Sequence, residues 1–561
     1  MPTIADQLNE LIHQKNELVA NLNTMGVEAS ENEKLNTLVP KVLDIVTGDV
    51  LEKITVPTVS GSYTYNGSSQ TVAFNNYSEE KILMTGESSA VNAGTYTVNF
   101  APKYGYAWED ESYTSKSVSW TIAKANANLT VSETSMSLTG SSPTGTFTVS
   151  TNSTATVNVS SSNTDVATVS KSGNTVTVTA IADGSATITV SVSETTNYKS
   201  DSKTVSVTAS NMVHIYGVSW DGTSTTSWTR TDDAANFSAP VPYLSGASNY
   251  GSPFDNLMPW AGMVKEERTG GTMVKIPKFW YKITQISNNG IKIQIADRAT
   301  TGFNVSPAHM DRGDGKGERD YVYVGRYHCA NSDYKSRSGE KPKTNITRST
   351  ARTAIHNLGT NIWQSDFAMR FTLWLLYIVE FADWNSQAKI GAGCGNNSST
   401  ENMGYTDSMP YHTGTTLSDR TSKGLGTQYR NIEGLWDNVL DWTDGAYYND
   451  SGMNIILNPA NFSDSAGGTL IGKPSSGYPS KFSVVSVDGT YQMFYPTEAS
   501  GSVTTYSCDH WYFDTTYPCI YVGGNYNHND NYGMFYINCN TSTNSNGNIG
   551  SRFILCLASN L

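Results

Sequence analysis

Residues 157–193 read VNVSSSNTDVATVSKSGNTVTVTAIADGSATITVSVS, with Val, Ile or Ala returning at almost every second place. In an extended chain successive side chains point to opposite faces. A period of two therefore predicts strands with one buried and one solvated face. The pattern holds from Asn128 to about Ser210. Upstream, from about Leu51, VSGSYTYNGSSQTVAFNNY (59–77), NAGTYTVNF (92–100) and KSVSWTIAK (116–124) alternate in the same way, broken by Asn-Gly and Ala-Gly turns. Two consecutive all-β sandwiches are expected, at 51–126 and 127–210, each burying a core beneath a polar exterior.

Toward the N-terminus the period changes. Ile4, Leu8, Leu11, Lys15, Leu18, Leu22 and Met25 are spaced alternately by four and three, an a/d heptad seam with one polar interruption, and Gly26 ends it. A shorter set follows at Leu35, Leu38, Val42 and Ile45. A small helical hairpin on its own core would satisfy this pattern. The reading adopted for 1–48 is an α-helical coiled coil that makes a homotrimer, because a lone helix of this length gains little stability without copies of itself.

Beyond the boundary at Ala209–Met212 the composition shifts to Trp, Tyr, Gly and Asn with no internal repeat. Two helices are predicted in 211–561: Thr347–Leu358, capped by Thr347 or Ser349, and Ser365–Trp384, capped by Ser365. Short strands and loops make up the rest, so an α+β domain with a loop-dominated surface is expected.

Charged residues are sparse at 16%, and the net charge of -13 disfavours nucleic acid and anionic membranes as partners. The 32 tyrosines suit a binding surface, where Tyr supplies large area at low entropy cost. Neither a secretory leader nor an apolar run of about 18 residues is visible, so export and membrane insertion are not expected. The longest apolar stretch, Phe371–Phe381, reads as a core helix. Binding-surface composition without an export signal implies release by cell lysis. The six cysteines form no CxxC pair, which leaves buried thiols and one or two disulfides both open.

The pattern in 157–193 resembles the bacterial Ig-like group 2 family, "S.N..VATVS..G.VT..A.G.ATITV", and 51–126 resembles small Ig-like repeats of phage and bacterial surface proteins. Both likenesses imply spacers. Tyr429–Gly445, YRNIEGLWDNVLDWTDG, is similar to the "RG.ENLWGNVWEW.DG" signature of the C-type-lectin-like (formylglycine-generating-enzyme-like) fold. Residues 508–555 resemble the variable region of retroelement-diversified proteins and related phage receptor-binding tips. There a "GG.W..G...G.F...........NIG.R" frame stays fixed while Asn, Tyr, Asp, His and Ser positions vary. The run from VKIPKFWYKI (274–283) onward also resembles tail proteins from phages of Gram-positive gut bacteria. These likenesses imply a phage tail fibre or tail-tip protein, carried in the virion and joined to other tail proteins through its N-terminal region. Its C-terminal domain would bind a bacterial cell-surface protein or glycan. A bacterial surface adhesin of the same architecture is the alternative, and a glycan-degrading tail enzyme comes third.

The residues at the tip agree with that reading. Gly523, Gly524, Gly533 and Gly550 punctuate loops, and Met534, Phe535, Ile537, Phe553, Leu555 and Leu557 can pin the region to a core. Between these anchors the candidate contacts are Trp511, Tyr512, Asp514, Thr516, Asn525, Tyr526, Asn527, His528, Asn529, Asp530, Asn531, Tyr532, Tyr536, Asn538 and Asn540 within the variable-type region 505–555. Asn offers donors and acceptors and Tyr a flat amphipathic face.

No nucleotide, hydrolase or metalloprotease motif is found, and no catalytic residue is assigned. Cys508 and Cys519 are eleven apart, unlike the close reactive pair of the sulfatase-modifying relatives. No spacing singles out the facing carboxylates of a glycosidase. Arg312-Gly313-Asp314 is an integrin-like tripeptide, but GDGKGERD (313–320) reads more plainly as a solvated turn. No cofactor is expected. Ca²⁺ could be held by Asp437, Asp441 and Asp444, but the Glu-Pro-Asn or Gln-Pro-Asp tripeptide of a Ca²⁺-dependent sugar site is missing. Packing of Trp436, Val439 and Trp442, with the acids capping turns, is the expectation there.

Overall fold

Alternation in 128–210 resolves into two stacked sheets of four strands. One orders Thr130–Val131, Thr144–Ser150, Thr175–Ala180 and Ala167–Ser172, the other Ser135–Thr139, Asp201–Ser210, Gly184–Val192 and Val157–Ser161. The inward set of the quoted stretch includes Val176, Val178, Ala186, Ile188, Val190 and Val192, which meet Phe147, Val149, Val205 and Val207 in one apolar core. This is the layering of an Ig-like module. The first strand of its second sheet pairs parallel with the last strand of the module, Ser135–Thr139 against Ser206–Ser210. The computed structural model describes residues 3–42, 51–393, 397–487, 489, 491–528 and 532–557.

The segment 51–126 is a second β module. Tyr63–Thr64, Lys116–Ala123, Gly94–Pro102 and Ile82–Gly86 form its main sheet, and Trp108, Trp120, Val98 and Phe100 fill its core. The two modules are tied by specific bonds. Asn197 Oδ1 accepts from the Ala93 N–H at 2.8 Å, its Nδ2 donates to Asn92 Oδ1 at 3.0 Å, and Tyr65 meets Tyr198 edge-on at 5.3 Å.

At the N-terminus, α1 (Ile4–Thr24) starts with a capping box between Thr3 and Asp6. Val19 and Leu22 close on Leu38 of α2 (Leu35–Lys41). The seam is therefore used within the chain only at its C-terminal end. Ile4, Leu8 and Leu11 stay 85%, 55% and 47% exposed, which the hairpin alone does not explain. Lys15, the polar interruption, donates to the Glu31 carbonyl, and Ile45 lies outside the described residues. Among the described residues no helix is long and apolar enough to cross a membrane.

The chain divides into two compact units, Met1–Met212 and Val213–Leu561. At the centre of the second lies α4 (Phe367–Phe381), with all fifteen residues buried. An all-round apolar helix must be enclosed, and sheets do so: Trp228–Asp232, Ile215–Trp220, Ile291–Ala296, Trp280–Gln285 and Asn304–Val305 form one of five strands. Asp366, not the predicted Ser365, caps α4, because its Oδ1 accepts from Met369 N–H; Ser365 instead donates its N–H to Arg552 O. Arg230 takes the last carbonyls, those of Val379 and Glu380. The shorter α3 (Arg348–His356) is capped by Thr347, and α5 (Ser386–Lys389) follows α4 directly.

Arg312 is not part of a solvated turn. It is fully buried and binds Asp366, while Asp314 binds the equally buried Arg319. The described cysteines, Cys329, Cys508, Cys519, Cys539 and Cys556, are buried free thiols.

Candidate functional site

The two stretches with the strongest motifs, 429–445 and 508–555, fold against each other. Strand Leu440–Asn449 pairs antiparallel with Cys519–Val522 and parallel with Ile549–Ser551, and Cys519–Val522 pairs in turn with Ile537–Asn540 at the sheet edge. Gly523 and Gly524 then pass over Leu435 and Trp436 so closely that a Cβ on either would sit 2.4 Å from a backbone oxygen. Gly523 also has φ +79°, so both the space and the conformation require glycine there.

Beneath the loop is a rigid base. Asp509 accepts from Gly533 N–H and Phe535 N–H, both at 2.8 Å, and Ser386 Oγ accepts from Met534 N–H at 2.9 Å. Arg370 and Trp374 of α4 both donate to Met534 O at 2.7 Å. Every backbone polar group of that turn named here meets a buried side chain, which replaces the ladder that irregular backbone lacks. Burial pushes the Asp509 carboxyl up to about 6 even against its two N–H donors.

Above this base the side chains make a charge-poor face. His528 stacks on Tyr532 with centroids 3.6 Å apart, and Tyr532 leans on Tyr536 at 4.3 Å. Burial lowers the His528 pKa to about 4, so its imidazole is neutral at pH 7. Tyr526 is half-buried, with its backbone bonded to Asn438 and Asn397, while Asn527 is exposed. Nearby, Asp514 caps a turn at Thr516 and accepts from Tyr512 Oη at 3.3 Å; the Thr516 bonds hold its carboxyl below the usual range. Asn538 and Asn540 are half-buried on the edge strand.

The predicted set divides accordingly. Tyr512, Asp514, Thr516, Tyr526, Asn527, His528, Tyr532, Asn538 and Asn540 keep exposed surface. Trp511, Asn525 and Tyr536 do not and are corrected to structural roles. Trp511 is 1% exposed and packs on Trp374, because its neighbours alternate into the core. Asn525 is enclosed and organises the loop, accepting from Asn527 N–H and bonding His528. Tyr536 forms the floor of the aromatic stack. Asn529, Asp530 and Asn531 lie outside the described residues. Sequence reasoning missed Asp509, Ser386, Arg370 and Trp374, whose roles depend on a turn about 150 residues away for the last three. It also missed Tyr478, which meets His510 edge-on at 5.1 Å.

The three acids weighed for Ca²⁺ are already engaged. Asp437 accepts from Thr427 and Tyr405, Asp444 binds Arg352, and Asp441 lies between His328 at 2.9 Å and Arg552 at 3.2 Å. His328 and Arg552 together hold the Asp441 carboxyl down at about 2 despite its burial. Arg552, the arginine of the NIG.R frame, also donates at 2.8 Å to the carbonyls of Gly325, Arg326 and Glu433. Among the described residues no group of three or more His, Cys, Asp or Glu could hold a metal ion.

No family model matches the chain, and none of the curated proteins is similar to it. Solved structures with local likeness include domains 4 and 5 of the S-layer protein SbsC, at 19% identity over 28% of this chain and 100% of that one, with a TM-score of 0.16. The fibronectin(III)-like modules of Clostridium thermocellum CbhA share 12% identity over 28% of this chain and 95% of theirs, at a TM-score of 0.13. The D00-D0 domain of intimin shares 12% over 27% and 99%, at 0.14. Scores of this size establish no common fold.

Proposed function

We propose that this protein is a phage tail-fibre or tail-tip protein that binds a bacterial surface ligand through the face around Tyr512, Tyr526, Asn527, His528 and Tyr532. The observation that carries this reading is the contrast between face and base. A half-exposed, nearly uncharged array of Tyr, Asn and His stands on a turn whose backbone is fixed by Asp509, Ser386, Arg370 and Trp374. A rigid frame with replaceable polar and aromatic tips is what noncovalent recognition of varied ligands needs. In this reading the C-terminal unit is C-type-lectin-like, the region 505–555 is open to diversification, and no chemistry is performed on the ligand. The two β modules act as spacers. The exposed Ile4, Leu8 and Leu11 stripe of α1 makes a trimer in the virion, so that weak single sites act together.

Adsorption of the purified protein to a panel of Gram-positive gut bacteria tests the central claim. Replacing Tyr526, Asn527 and Tyr532 together by Ala should abolish adsorption while the C-terminal unit melts as before; unchanged adsorption would sink the proposal. Sedimentation of Leu8→Glu/Leu11→Glu should show monomers where the parent chain shows trimers. Diversification predicts a near-copy of the 505–555 coding segment beside a reverse transcriptase, differing only at adenines.

A further inference from the structure

Beside the anchored turn lies a small cavity of about 180 Å³, lined by Asn385, Gln387, Ala388, Ala392, Arg420 and Thr421. Helix α5 forms one wall, and Ser386, the neighbour of Gln387, is the residue that holds Met534 N–H. Two lining side chains carry unmatched polar atoms. Gln387 is only 8% exposed; its Nε2 donates to Ala392 O at 3.0 Å, which fixes the amide and leaves Oε1 buried without a donor. Arg420 donates through Nη1 to Lys389 O and through Nη2 to Pro242 O, but its buried Nε–H meets no acceptor.

Arg420 also lacks an acid. Arg312, Arg326, Arg348, Arg430 and Arg552 each meet a carboxylate, whereas Arg420 rests on neutral carbonyls and burial alone acts on it, lowering its pKa. A guanidinium left in this state favours a carboxylate, which accepts from it with charge assistance. The lone Gln387 oxygen asks for a donor, such as a hydroxyl on the same ligand. The volume lies below the roughly 300 Å³ at which drug-sized pockets begin, so it suits one small group and not an oligosaccharide.

We propose that this cavity binds a single hydroxylated carboxylate, a uronic-acid residue, with Arg420 holding the carboxylate and Gln387 accepting from a hydroxyl. The inference rests on the surface-binding reading for its setting and would extend that face to acidic surface polysaccharides.

Titration calorimetry of the full chain with glucuronate, glucose and inorganic phosphate tests it. Glucuronate should bind saturably, with Kd on the order of millimolar, and glucose and phosphate at least about tenfold more weakly, since glucose lacks the carboxylate and phosphate lacks the ring hydroxyls of a sugar acid. Arg420→Met should weaken glucuronate by about tenfold or more. Should that variant melt early, Gln387→Glu decides, because it keeps the arginine, adds a repelling charge of the same shape, and should weaken glucuronate equally. Absence of saturation, equal binding of glucose, equal binding of phosphate, or full affinity in Gln387→Glu overturns the proposal. Polyuronate competing with glucuronate identifies a polymer-borne source, whereas binding of the free sugar acid alone assigns the site to a soluble metabolite. The Tyr526, Asn527 and Tyr532 variant should retain glucuronate binding, so loss of cell adsorption with the cavity intact separates the two readings.

Discussion

The sandwich at 128–210 and the C-terminal unit hold themselves together by different means. The sandwich core is Val, Ile, Leu, Phe, Ala and Met. Among the described residues, every buried polar or charged side chain lies at Ser306 or beyond. In the sandwich, strands pair with strands and the backbone satisfies itself. The C-terminal unit has long irregular segments whose carbonyls and N–H groups must find other partners. Arg552, Arg348, Arg370 and Asp509 supply them from inside the core. Buried charge in this molecule is the cost of building a core from long irregular segments.

Four experiments can break or sharpen that contrast. The largest effect is expected from Arg552→Met, which removes one donor from each of three carbonyls and leaves Asp441 and His328 buried with less compensation. Denaturation should show the C-terminal unit destabilised by about 4 kcal/mol or more, with the sandwich transition unmoved. A shift below about 1 kcal/mol would mean that the buried network is dispensable. Next, Ile188→Ala should cost about 2–4 kcal/mol by opening an apolar cavity, and it should act only on the unit that contains the sandwich. Third, the unfolded Asp509 carboxyl titrates near 3.8 and the folded one near 6. The folded chain therefore holds the extra proton in that window. This group's contribution to stability is complete below pH 3.8 and is lost as pH rises to 6, up to about 3 kcal/mol. Asp509→Asn should flatten that part of the pH profile, measured by chemical denaturation of the C-terminal unit. Last and smallest, Thr148→Lys on the exposed side of a sandwich strand should change stability by less than about 0.5 kcal/mol; a larger change would show that the outer face is not a free surface.

What could be read from the sequence follows the same division. Period two exposed Val176, Val178, Ile188 and Val190 as one face because strand geometry is local. α3 and α4 were legible for the same reason, and of the two caps offered for α3, Thr347 and Ser349, the structure uses Thr347. The Ser365 cap failed because Ser and Asp are both good caps and only the register of the following turn chooses Asp366. At the tip, Met534, Phe535 and Ile537 were recognisable as anchors. Trp511, Asn525 and Tyr536 were not recognisable as buried, since Tyr, Trp and Asn are at home both on surfaces and in enclosed networks. Asp509 and Arg370 could not be found at all, for nothing in their own neighbourhood records the turn that they hold. Arg312 was misread because a glycine-rich, charged stretch looks solvated when its partner, Asp366, is far away in the chain.

The parallel pairing of Ser135–Thr139 with Ser206–Ser210 has a mechanical consequence. These neighbouring strands stand near the beginning and the end of the module's chain, so a pull on its two chain ends tries to slide one strand along the other. Once the short Thr130–Val131 pairing has given way, the remaining bonds are loaded in shear and must rupture together, instead of unzipping one by one. The main sheet of the first module repeats the device where Tyr63–Thr64 runs parallel to Ile122–Ala123. Such modules resist a tearing force by the rate at which they open, not by their equilibrium stability. Under the tail-fibre reading proposed above, a particle tethered to a cell in flow would draw on that slowness.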